Sequence, residues 1–219
     1  VQPKTQKNET TISHFLIYVV IESSCTKGIY LLHNQLASKV NMAARKLILY
    51  ISMSLDGYIA TENDDLSWLG VVQQEGEDYG YEAFNESVDT YIVGRKTYEI
   101  VLQLTGGVFP QAERHKCYII TRQDRKAENG VEFYNGDLNA LIQQLKAEEG
   151  KNIYCDGGAE LVKLLMEQGL IDEYIISVIP ILLGNGKRLF IGDTPTEQLS
   201  ALPAKQFDSG LVQLHYKKT

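Results

Sequence analysis

From Lys46 to Ile179 the sequence switches repeatedly between short apolar runs and stretches of about ten residues with helical periodicity, and glycine stands at many of the changeovers. Strand character is read over Lys46–Met53, Thr90–Val93, Lys116–Thr121, Val131–Tyr134, Asn152–Cys155 and Glu173–Ile179. Helices are expected over Arg95–Leu104, Asp137–Glu149 and Ala159–Gln168, and the polar, aromatic segment Gly76–Val88 is a further candidate. Asp137 suits an N-cap, and Leu138, Leu141, Ile142 and Leu145 then fall on one helix face. Gly106, Gly107, Pro110, Gly150 and Gly169 punctuate the pattern. Beyond Ile179 the chain reads as strands alone, ending in Leu211–Tyr216. Such alternation predicts an α/β fold: a mostly parallel central sheet with helices on its faces and antiparallel strands at the C-terminal edge.

Charge divides the chain unevenly. Its 219 residues carry a formal charge of −7. Residues 1–41 hold Lys4, Lys7, Lys27 and Lys39 against Glu9 and Glu22, so the acidic excess lies beyond Met42. We therefore expect 1–41 to be an extension (a tag, a linker or an over-extended start) and 42–219 to be the functional domain. The acidic balance argues against a nucleic-acid partner. The apolar run Phe15–Ile21 is far shorter than the ~20 residues that cross a bilayer, and Glu22 spoils a signal-peptide reading, so no membrane is expected. Cys25, Cys117 and Cys155 have no zinc spacing; no metal is expected, and the cysteines read as reduced thiols of a cytoplasmic protein, Cys117 and Cys155 as buried structural ones.

Local reversals of charge carry the chemistry. Tyr91-Ile92-Val93-Gly94-Arg95-Lys96-Thr97 brings a strand to a helix start bearing two cations and a hydroxyl, an arrangement that suits a phosphate. A helix capped by Thr97 and decorated with solvated charges accounts for it equally. Cys155-Asp156-Gly157-Gly158-Ala159-Glu160-Leu161 repeats the strand–glycine–helix plan without being GxGxxG, and a tight turn is the plain alternative. Thr121-Arg122, with Arg125 and Lys126 close behind, ends a third strand. Ligands of parallel sheets sit outside the carboxyl ends of strands, so three such ends point to a ligand with several phosphates, such as a dinucleotide. Ser54-Leu55-Asp56-Gly57-Tyr58-Ile59-Ala60 is first of all a turn signal.

The order of Ser54–Ala60, Gly94–Glu99, Thr121-Arg122, Gly157–Leu161 and Pro180-Ile181-Leu182-Leu183-Gly184-Asn185-Gly186 resembles the dihydrofolate reductase superfamily. It is most similar to the branch holding the reductase domain of the bifunctional riboflavin-biosynthesis deaminase-reductase. The resemblance spans Met42 to the C-terminus and implies a three-layer dihydrofolate-reductase-like fold and an NADPH-dependent oxidoreductase. By motif, Gly94, Arg95, Lys96 and Thr97 would meet the adenosine-side phosphates, and Thr121 and Arg122 the 2′-phosphate or adenine. Gly157, Gly158, Ala159, Glu160 and Leu161 would hold the pyrophosphate, with a cis bond between the two glycines. Ile59 and Ala60 would border the nicotinamide; Asp56, Trp68, Leu183 and Gly184 would border the substrate, with Asp56 binding it or relaying a proton.

The implied reaction is hydride transfer to a small pyrimidine- or pterin-like substrate, as in a 5-amino-6-(5-phosphoribosylamino)uracil reductase. Dihydrofolate reduction and a non-catalytic NADPH-binding regulator are the alternatives. The superfamily's carboxylate after the tryptophan is missing: Gln73 stands there, and Glu75, Glu77 and Asp78 are the nearby acids. The riboflavin branch's glutamate before the paired glycines is here Asp156. The strand-built C-terminal third offers an edge for sheet extension, so a homodimer is expected.

Overall fold

A computed structural model describes residues 44–219; the expectations for residues 1–41 and Met42 lie outside the described residues. The first strand shows how the layers arise. In β1 (Leu47–Ser54) successive side chains face opposite sides of the sheet. Leu47 and Leu49 enter one apolar cluster, while Ile48 and Tyr50 enter another. A strand apolar on both faces belongs at the centre of a covered sheet, and β1 lies between β6 (Asn152–Cys155) and β7 (Glu173–Ile179), parallel to both. Next to β6 come β3 (Val88–Gly94), β4 (Lys116–Ile120) and β5 (Val131–Tyr134), all parallel. The far side of β7 is closed by antiparallel β11 (Val212–Lys218), which pairs with β9 (Leu199–Ala201) and β10 (Lys205–Gln206). The sheet thus has nine strands among the described residues.

Helices cover both faces, giving the expected three layers. Helix α3 (Leu138–Ala147) is capped by Asp137, whose Oδ1 accepts from Ala140 N at 3.1 Å. It buries Leu138, Leu141, Ile142 and Leu145 on the Leu47 side, beside Leu161, Val162 and Leu165 of α4 (Ala159–Glu167). Each fully buried aliphatic side chain there contributes about 1.5–3 kcal/mol. The other face carries α1 (Tyr81–Glu86) and α2 (Arg95–Leu104), which bury Phe84 and Tyr98 among Tyr50, Tyr91 and Tyr154. A smaller cluster gathers Trp68, Leu69 and Val72 from the 3-10 segment Ser67–Val72 with Tyr79, Ile179 and Leu211. Cys117 and Cys155 are buried, and burial pushes both thiols up to about 12.

One local expectation needs correction, and one element was not foreseen. Only Tyr81–Glu86 of the Gly76–Val88 segment is helical, because Gly76, Tyr79 and Gly80 take φ of 79°, 56° and 77°, outside the helical region. A two-stranded ribbon, β2 (Tyr58–Ala60) with β8 (Lys187–Arg188), stands apart from the main sheet. Strands so short leave no periodicity to read.

Candidate active site

Because β1, β3, β4 and β6 are parallel, the segments that follow them emerge at one edge of the sheet. There a cleft of about 1290 Å³ is bounded by Ile59 and Ala60, by Gly94, Arg95, Lys96 and Thr97, by Thr121 and Arg122, and by Gly158, Ala159, Glu160 and Leu161. Of the expected cofactor set, only Gly157 is not part of the lining. It sits just behind: Gly94 N donates to Gly157 O at 2.7 Å, tying the β3 end to the β6 end. The Gly157–Gly158 peptide is cis, as the resemblance implies.

This junction brings two helix N-termini together. The residues preceding α2 and α4 are Gly94 and Gly158, and neither helix has a side-chain cap. Their first N–H groups are left for another acceptor. A Cβ on Gly158 would stand 3.0 Å from Thr97 Oγ1, so glycine keeps the cradle open. Around it Arg95 Nη1 donates to Glu99 Oε1 and Oε2 at 2.7 and 2.6 Å, and Lys96 Nζ lies 3.4 Å from Glu160 Oε1. Thr121 is held in place, its N donating to Tyr134 O at 2.9 Å and its Oγ1 accepting from Gln123 N at 3.1 Å. Arg125 pairs with Glu128 at 2.6 Å and lies over the Phe133 ring. Arg122 is exposed and has no ion-pair partner among the described residues.

The other half of the cleft departs from expectation. Asp56, Trp68, Leu183 and Gly184 are not in the lining. Asp56 is a loop clasp: its Oδ1 accepts from Ser54 Oγ (2.6 Å) and Leu183 N (3.1 Å), and its Oδ2 from Gly184 N (2.7 Å). The Ser54 bond, aided by those backbone donors, holds its carboxyl down at about 2, so it carries no proton to give near neutrality. Trp68 is packed beneath the cleft, and its buried indole N–H meets no acceptor. Its neighbours Leu66 and Leu69 reach the lining in its place.

What does line this half is a group of phenols and hydroxyls, Tyr50, Ser52, Tyr79, Tyr81, Tyr154 and Ser177, together with Asp156. The Asp156 carboxylate accepts from Tyr154 Oη at 2.9 Å and from Tyr91 Oη. Desolvation outweighs these two bonds and lifts its carboxyl to about 6. Glu77 and Asp78 also line the cleft, but Glu77 Oε1 accepts from Tyr79 N and both Asp78 oxygens accept from the amides of Gly80 and Glu82. Glu75 lies outside the lining. The tyrosine set was missed in the sequence because strand alternation alone, without pairing partners, does not say which phenols share a face. Asp156 was visible as a departure from a motif, but not as a partner of Tyr91.

Among the described residues no helix is long and apolar enough to cross a membrane. Residues 45–213 match the family model of the RibD C-terminal domain. The chain is 46% identical over 173 residues to the uncharacterized protein YwjB of Bacillus subtilis strain 168, spanning 78% of this chain and 97% of that one. It is 30% identical over 185 residues to the uncharacterized protein YyaP of the same organism, spanning 80% and 96%. A putative riboflavin biosynthesis protein from Shewanella sp. PV-4 superposes with a TM-score of 0.72 at 28% identity, covering 80% of this chain and 99% of that chain. Acinetobacter baumannii RibD shares the fold, with a TM-score of 0.60 at 20% identity over 80% of this chain and 58% of the RibD chain.

Proposed function

The chain belongs to the RibD C-terminal domain family, and from that premise we propose that it is an NADPH-dependent reductase of a small pyrimidine- or pterin-like substrate, of the riboflavin-biosynthesis reductase type. The observation that carries this reading is the meeting of two uncapped helix N-termini at a glycine cradle inside the large cleft. Backbone N–H groups and helix dipoles arranged in this way favour a diphosphate. Gly158, Ala159 and the start of α2 would hold it, with Thr97 adding a hydroxyl. Arg122 is the group suited to a 2′-phosphate, because no carboxylate neutralises it. Bound NADPH supplies a hydride.

The rest falls to the chain's own residues. Ile59 and Ala60 give a mostly apolar floor that positions the reacting ring and limits water. Reduction of a C=N or C=O group also requires a proton. Asp56 is saturated and ionised, whereas Asp156 lines the cleft with a carboxyl raised toward neutrality. We assign Asp156, with its Tyr154 and Tyr91 donors, the task of holding that proton. Against dihydrofolate reduction, Asp78 spends both oxygens, and Glu77 one, on backbone amides.

The test is thermal unfolding of the full chain with NADPH and NADH, followed by loss of nicotinamide absorbance with ribosylamino-pyrimidines, pterins and folates. A tight cofactor at 100–1,000 times its Kd adds about 3–4 kcal/mol of stability. No stabilisation by NADPH refutes the reading. Stabilisation without turnover on any substrate class favours the regulator over the enzyme.

A further inference from the structure

The cations around the cleft are not equivalent once their partners are counted. Arg95, Lys96 and Lys187 each have a carboxylate: Glu99, Glu160 and Asp64. Arg188 lines the cleft and does not. Its Nη1 donates to Asp56 O at 3.3 Å, its Nη2 donates to Tyr58 Oη at 3.1 Å, and the guanidinium lies 4.6 Å from the centre of the Tyr58 ring. All three partners are neutral. The nearby Asp56 carboxylate is occupied by Ser54 Oγ and the amides of Leu183 and Gly184. The guanidinium is thus positioned on a ribbon, with no carboxylate at ion-pair distance among the described residues and with N–H donors to spare.

The 2′-phosphate end of the cofactor does not account for this charge. The phosphate-binding groups follow β3, β4 and β6, whereas Arg188 sits on the ribbon whose other strand follows β1. At about 4.8 Å per strand spacing, Arg122 at the end of β4 is roughly 14 Å across the sheet from the end of β1. Of the other acids in the lining near the ribbon, Asp64 is engaged by Lys187, and Glu77 and Asp78 by backbone amides, while Glu62 has no ion pair to Arg188. An arginine so placed takes an oxyanion through its planar fork.

We propose that Arg188 is a specificity-determining residue that binds an anionic group, a carboxylate or phosphate, on the substrate. The inference rests on the reductase reading above: it assigns the substrate's charge at the site that reading describes. The phenol- and hydroxyl-lined half of the cleft takes the heterocycle, and Arg188 takes the acid attached to it.

The full chain is first titrated with NADPH, which tests the reductase reading separately. The NADPH-saturated protein is then titrated with matched pairs: uridine against uridine monophosphate, and pterin against pterin-6-carboxylate. The charged member of at least one pair should bind about tenfold tighter or more, and Arg188→Gln should reduce that ratio to below about threefold while leaving NADPH affinity unchanged. A preference confined to the nucleotide pair identifies phosphate, and one confined to the pterin pair identifies carboxylate. Equal binding of charged and uncharged members, or a preference that survives Arg188→Gln, overturns the proposal. If no heterocycle binds, inorganic phosphate decides. Protection of the NADPH-loaded wild type against thermal unfolding beyond that of Arg188→Gln supports the site, and identical responses overturn it. Failure of NADPH to bind at the outset, with wild type and Arg188→Gln responding alike to phosphate, refutes both readings.

Discussion

Gly186 offers a direct test of how the ribbon shapes the cleft. It lies in the lining, has φ of +135°, and faces the backbone of Ala60. In Gly186→Ala the new methyl group would overlap the Ala60 carbonyl oxygen and stand 3.1 Å from Thr61 Cα. Ordinary carbon contacts are ~3.5–4.0 Å, so β8 and β2 must separate by roughly 1 Å. The positive φ adds backbone strain of order 1–3 kcal/mol, and overpacking adds a similar amount. A total near 3 kcal/mol lowers the Tm of a domain this size by about 6–12 °C. Gly184→Ala is the control. Gly184 also has positive φ, +76°, but nothing lies within 4 Å of its added carbon, so only the conformational cost of about 1 kcal/mol remains, or ~2–4 °C. NADPH affinity should also fall in Gly186→Ala, because Ala60 moves with the ribbon, and should hold in Gly184→Ala. Equal Tm losses in the two variants, or a Gly186→Ala protein within about 2 °C of wild type, would refute the close-approach argument.

Two further outcomes follow from charges in the cleft. Arg122→Ala should weaken NADPH by about tenfold or more while leaving NADH nearly unaffected, since a charge-assisted bond contributes about 1.5–3 kcal/mol; calorimetric titration of both nucleotides at low salt checks this. Asp156 has its folded pKa raised to about 6 from 3.8, so its protonated form is the one the native state favours. Its contribution to stability is complete below about pH 4 and is lost as pH rises through 6. The stability difference between wild type and Asp156→Asn should therefore fall by up to about 3 kcal/mol from pH 4 to pH 7, measured by denaturant unfolding; a flat difference would show that Asp156 titrates normally.

The order of strands and helices was legible because each element carries its own period: Leu138, Leu141, Ile142 and Leu145 mark a helix face with no knowledge of neighbours. The glycine-cradle half of the cleft was legible for a related reason. Its determinants, Gly94–Thr97 and Gly157–Leu161, are contiguous at strand-to-helix turns, and parallel pairing brings contiguous turns to one edge. The other half is assembled from residues far apart in the chain. Tyr50, Tyr81 and Tyr154 come from three elements, and Arg188 meets Tyr58 across a ribbon too short to show alternation. Asp56 reads locally as a plain turn residue before a glycine, and the resemblance alone gave it a role in chemistry; its partners Leu183 and Gly184 lie more than a hundred positions away. Local sequence cannot say whether a carboxylate is free for chemistry or committed to a loop.

The position of β1 has a consequence for how the chain is made. Its neighbours on both sides, β6 and β7, come much later: Lys46 N bonds Asn152 across 106 positions. At a synthesis rate of about 5–20 residues per second, the Leu47–Ser54 segment waits roughly 5–20 s for its first pairing partner. During that interval a strand apolar on both faces is uncovered on the ribosome. The central strand of the finished domain is therefore a segment of the nascent chain in need of a chaperone until β6 emerges.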